Sequence, residues 1–123
     1  MKKSKAFLAS IGMFVIGLAS APLAFAHAVL VHSTPADHSV VQARTITLLL
    51  QYNSRIDAAR SSLTLTDAGG KSLPLQMESS GNAGELKAVA PDLANGQYRI
   101  HWQVLASDGH ITRGEVNFFV KTK

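Results

Sequence analysis

Gln97-Tyr98-Arg99-Ile100-His101-Trp102-Gln103-Val104-Leu105-Ala106 is the stretch that decides the fold. Tyr98, Ile100, Trp102 and Val104 alternate with Arg99, His101 and Gln103. Successive side chains of a strand point to opposite faces, so this period of two predicts one buried apolar face and one wet face. Ile111 to Val120 repeats the pattern, with Val116, Phe118 and Val120 in phase. Working back along the chain, five more strands are expected: Ala28 to Ser33, Arg44 to Tyr52, Ser61 to Thr66, Ser72 to Met77 and Glu85 to Ala90. Pro74 marks the fourth of these as an edge, since proline cannot donate to a ladder. Asp67-Ala68-Gly69-Gly70 and Asn95-Gly96 are turn sequences. No segment has a sustained helical period, although Arg55 to Arg60 could form one helical turn. Seven short strands at this spacing predict an all-β antiparallel sandwich or barrel.

The chain has 123 residues, enough for one domain. Its first 26 read as a secretory signal peptide rather than as part of the fold. Lys2, Lys3 and Lys5 precede an apolar run from Ala6 to Leu18, and Ala24-Phe25-Ala26 puts small residues where a signal peptidase cuts. That run is short for a membrane span, which needs about 20 apolar residues. Cleavage after Ala26 leaves a domain of residues 27–123, exported to the periplasm, with no lasting membrane anchor. Removing the three lysines cuts the basic residues from 12 to nine, against eight acidic ones. The domain then carries no basic excess that would favour nucleic acid or a membrane surface. There is no cysteine, so the fold lacks disulfides and thiolate metal ligands alike.

Chemistry concentrates in the histidines. Cleavage would make His27 the first residue, with a free α-amine beside its imidazole. Amine and Nδ1 can close a chelate ring on one ion, and an amine of ordinary pKa, about 7.7–8.0, gives up its proton to a metal at neutral pH. Two such nitrogens suit the tetragonal preference of Cu(II). Asp108-Gly109-His110 lies between the two strongest strands. On an extended chain residues i and i+2 share a side, so Asp108 and His110 could converge on one ion and complete a set of three nitrogens and one oxygen. Ser-Asp-Gly is equally an ordinary hairpin turn, and some residue must follow any cleavage site. His32 is close enough in sequence to be an auxiliary ligand. His101 and His38 are expected to face solvent. Met77 alone cannot build a thioether Cu(I) site, which leaves Cu(II) as the expected ion. No serine nucleophile with a base, phosphate loop or zinc spacing is present, and Glu78, Glu85 and Glu115 suggest no acid–base pair. The expected role is therefore binding rather than catalysis.

These residues resemble the CopC/PcoC-type periplasmic copper-resistance proteins. The resemblance runs from His27-Ala28 through Ser33-Thr34-Pro35-Ala36-Asp37 and the leucine-rich strand into Tyr52-Asn53. It ends in Ala106-Ser107-Asp108-Gly109-His110 and Gly114-Glu115-Val116-Asn117-Phe118. It implies a seven-stranded Greek-key, immunoglobulin-like β-sandwich binding one Cu(II). The ligands implied are the amine and imidazole of His27, His110 through a ring nitrogen, and Asp108 through its carboxylate. It also implies a part in copper tolerance, with handover to an inner-membrane copper transporter or a cuproenzyme. Two features depart from some members: Met77 stands where they carry a methionine-rich loop, and Asn53-Ser54-Arg55-Ile56 stands where they carry a glutamate near the metal. Two other readings compete. One is a histidine-brace copper oxidase, although a 97-residue domain leaves little substrate surface and Asp108 would fill the position oxygen needs. The other is a metal-free immunoglobulin-like assembly domain.

Overall fold

A computed structural model describes residues 27–123. The expected signal peptide, residues 1–26, lies outside the described residues. The fold is an all-β sandwich of two sheets. The strands are β1 (Leu30–Thr34), β2 (Ser39–Val41), β3 (Ile46–Tyr52), β4 (Ile56–Asp67), β5 (Ser72–Leu73), β6 (Gln76–Glu78), β7 (Glu85–Ala90), β8 (Gly96–Ala106) and β9 (Ile111–Val120). One sheet has the order β1-β3-β7-β6 and the other β2-β9-β8-β4-β5. The chain crosses between sheets at β1–β2, β2–β3, β3–β4, β5–β6 and β7–β8, so only β4–β5, β6–β7 and β8–β9 pair as sequence neighbours. Among the described residues no helix is long and apolar enough to cross a membrane.

The alternation in β8 does what a period of two requires. Tyr98, Ile100, Trp102, Val104 and Ala106 are buried, while Arg99 is exposed and His101 and Gln103 lie between. Val116, Phe118 and Val120 of β9 join them, facing Leu48 and Leu50 of β3 and Leu86 and Ala88 of β7 in one core. Tyr98 stacks on Phe118, with ring centroids 5.6 Å apart. Tyr52 meets Trp102 edge-on at 5.3 Å. Burial pushes the Tyr52 phenol well above its ordinary pKa.

Three local expectations are corrected. The single strand expected over Ser72 to Met77 is two strands in different sheets. β5 pairs with β4 and β6 with β7, and Pro74 sits at the switch, where a missing amide costs no rung. Ser39–Val41, with no turn-to-turn length of its own to announce it, adds an edge strand parallel to β9. Among the described residues the strand count is therefore nine. The helical turn considered for Arg55 to Arg60 is part of β4, which bulges between Asp57 and Ser62. Asp57 holds that bulge: its Oδ1 accepts from the Arg60 amide at 3.2 Å, and its carbonyl accepts from Ser61 Oγ at 2.6 Å. Local side-chain hydrogen bonds here imitate a helical turn inside a strand.

Candidate metal centre

β8 and β9 are joined by a tight turn over Ser107, Asp108 and Gly109. The Gly109 amide donates to the Ala106 carbonyl at 3.0 Å, and the Ala106 amide to the His110 carbonyl at 2.9 Å. Gly109 has φ of 86°, in the left-handed region where a side chain would be strained. Asp108 Oδ1 accepts from the His110 amide at 2.9 Å. This is an Asx-type turn, in which aspartate bonds the backbone two residues on. Asp108 and His110 are thus brought together by a turn rather than by the extended geometry expected from their spacing. The ordinary-turn reading and the convergence both hold: Oδ1 builds the turn, and Oδ2 is left for the other partners.

Asp108 Oδ2 lies 3.0 Å from His110 Nδ1 and 3.5 Å from His27 Nδ1. The imidazoles of His27 and His110 meet edge-on, with centroids 4.6 Å apart and planes at 81°. One ligand atom from each of the three residues falls within 4.8 Å of the others. The cluster is open on one side: the side chains of His27, Asp108 and His110 are 44%, 23% and 66% exposed. The His110 amide, accepted by the carboxylate, holds the Asp108 carboxyl below its usual range. Partial desolvation opposes this, and the His110 and His27 rings add to the lowering.

His27 reaches the cluster because the residues after it are fixed. Ala28 is fully buried in the core. Val29 is held at both backbone groups by Asn53, just past β3: its amide donates to Asn53 Oδ1 at 2.8 Å, and its carbonyl accepts from the Asn53 amide at 3.0 Å. Composition and spacing gave no reason to single out Asn53. Its one signal was an asparagine at a strand end, where short polar side chains serve the backbone.

The other histidines stand apart. His32, on β1, has its Nε2 3.5 Å from Thr34 Oγ1 and is not in the cluster. His38 is 78% exposed and its Nε2 lies 3.3 Å from Asp37 Oδ2. His101 is on the outer face of β8, with Nδ1 3.1 Å from Glu115 Oε1 and Nε2 3.2 Å from Thr66 Oγ1. Met77, on β6, is half exposed.

The donor set can be tested against an ion. With ligand bonds of about 2.0 Å, cis ligands of a square site lie about 2.8 Å apart and trans ligands about 4.0 Å apart. The 3.0 and 3.5 Å separations fall inside that window. Imidazole nitrogens with one carboxylate oxygen, and no sulfur, suit Cu(II) or Zn(II) better than Cu(I).

Sandwich and cluster together define a small β-sandwich protein with a candidate metal centre beside the β8–β9 turn. Comparisons with known proteins narrow that class. Residues 30–121 match the CopC domain family model. Copper resistance protein C of Xanthomonas campestris pv. juglandis is 35% identical over 117 residues, spanning 89% of this chain and 91% of the relative. The crystal structure of CopC from Methylosinus trichosporium OB3b superposes with a TM-score of 0.72 at 32% identity, covering 78% of this chain and 95% of that one. PcoC, a methionine-rich copper resistance protein from Escherichia coli, superposes with a TM-score of 0.65 over 77% of this chain and 99% of its own. At 23% identity that last likeness speaks for the fold alone. The chain belongs to the CopC family, and it is a copper-resistance-type protein.

Proposed function

We propose that this protein binds one Cu(II) ion in the periplasm and passes it to an inner-membrane copper transporter or a cuproenzyme. Export would follow cleavage after Ala26, leaving His27 as the first residue. His27 then binds through its amine and Nδ1, His110 through a ring nitrogen and Asp108 through Oδ2. The observation that carries this reading is the convergence of His27, from the start of the domain, on the β8–β9 turn. The His27 nitrogen that faces Asp108 is Nδ1, the one able to close a chelate ring with its own amine. Family membership supports copper as the ion. The arrangement holds and releases metal rather than turning over a substrate.

The test is a Cu(II) competition titration of exported protein whose first residue is confirmed as His27 by mass spectrometry. It is run beside a version carrying one extra residue before His27. The chelate predicts near-stoichiometric uptake by the first and a loss of at least tenfold in affinity by the second. Equal affinity would reject the terminal chelate.

A further inference from the structure

Among the described residues β1 is an edge strand, paired on one side only, with β3. Its regular register runs from Thr34 opposite Leu49 to His32 opposite Gln51, and a shift between Leu30 and His32 leaves Leu30 opposite Tyr52 beyond it. A chain end leaving an edge strand at an irregular rung would ordinarily fray. Two features oppose that here. Ala28 is packed into the core with none of its surface exposed. Asn53 grips both backbone groups of Val29, its amide supplying one hydrogen bond and its side chain the other. Beyond Tyr52 the ladder is thus extended by one rung, half of it built from a side chain.

We infer that Asn53 is a positioning residue for the metal centre: by clamping Val29 it fixes where His27 enters the cluster. Asn53 is outside the three-residue ligand group and acts through the backbone two residues downstream of His27. An edge strand held this way presents His27 in one orientation against Asp108 and His110. Without the side-chain half of the clamp, the segment before Leu30 samples several orientations, and binding must reorder it. The inference rests on the reading of His27 as a ligand, but the clamp itself is observable without metal.

Three substitutions test it: Asn53→Ala removes the acceptor, Asn53→Asp keeps an oxygen at the same reach, and Asn53→Gln moves it one methylene away. In metal-free protein, amide exchange at Val29 should accelerate in the Ala and Gln variants and stay slow in wild type and Asp. With Cu(II), the Ala and Gln variants should bind about fivefold more weakly, the factor carried by one net hydrogen bond. Their electron paramagnetic resonance spectra should resolve into more than one copper species, while wild type and Asp give one. A merely structural role would lower the melting temperature without splitting the copper signal, and that result would overturn the inference. Unchanged Val29 exchange in the Ala variant would also overturn it, and Gln provides the same test should Ala fold poorly. Wild type that takes up no copper would instead refute the metal-site reading, leaving Val29 exchange to judge the clamp.

Discussion

Gly114 faces Trp102 across the β8–β9 ladder, and the only side chain that fits between them is a hydrogen atom. A Cβ at Gly114 would lie 2.4 Å from Trp102 Cζ2, 2.6 Å from Cε2 and 2.9 Å from Nε1. Carbon atoms in favourable contact are about 3.5–4.0 Å apart, so Gly114→Ala demands that something move by about an ångström. The indole has little room to give. It is 8% exposed and meets the Tyr52 ring edge-on, and both partners are anchored in strands. Among the described residues no hydrogen bond ties Trp102 Nε1, so packing sets its position. Overpacking of this kind costs about 1–3 kcal/mol, and the closeness of three contacts puts this case toward the upper end. For a domain of this size each kcal/mol lowers the melting temperature by about 4–8 °C, so Gly114→Ala should melt roughly 10–20 °C below wild type. Trp102 is the only tryptophan, so its emission reports the site directly. The spectrum should shift as the indole is displaced. A double-mutant cycle supplies the mechanism. Trp102→Leu alone leaves a cavity and is destabilising, but adding Gly114→Ala to it should cost much less than Gly114→Ala in wild type. A melting temperature within 2 °C of wild type for Gly114→Ala, or strict additivity in the cycle, would refute the steric argument.

Other expectations concern the ligand cluster. Asp108 is held below its usual carboxyl range, so its contribution to the metal-free fold is present above the unfolded carboxylate pKa and disappears as pH falls through the lower folded value. The melting-temperature gap between wild type and Asp108→Asn should therefore be full at neutral pH and close only in strong acid, as followed by thermal melts over a pH series. Acid should strip Cu(II), since amine and imidazole ligands bind metal only when deprotonated, and a copper-selective chelator assay should give release with the same midpoint in a Glu115→Gln control. His32→Ala and Met77→Ala should each leave Cu(II) affinity within twofold of wild type, since neither residue is in the cluster. A tenfold loss for either would mean that the ligand set is wrong. His110→Ala should weaken binding by tenfold or more while leaving the β8–β9 turn intact, because the turn uses the His110 amide and carbonyl rather than its ring.

Long alternating strands were readable in the sequence because their pattern and their packing obey the same period. Every buried position of β8 is one that the alternation assigns to the core. Short elements were not. β2 has three residues, too few for a period, and its partner β9 is remote in sequence. The bulge in β4 reads locally as a helical turn, because the Asp57 bonds that stabilise it are helix-like in span. Pro74 was correctly placed at an edge, but no local rule says that the chain changes sheets there.

The candidate ligands were legible for a different reason: histidine and aspartate are metal-ligand residue types, although Asp108 also has a turn to build. What the sequence could not supply was their meeting. Asp108 and His110 converge because aspartate bonds the amide two residues on, an outcome that spacing allowed but did not require. His27 converges because a distant asparagine completes a strand rung and an alanine fills the core beside it. If cleavage makes His27 the first residue, as proposed, only the anchored residues that follow it can fix its position. That makes the small, chemically silent Ala28 and Val29 as decisive for the centre as the groups that would touch the ion. It also gives a reason for the buried Ala28: a larger residue there would lift this segment from the core and carry His27 away from the turn.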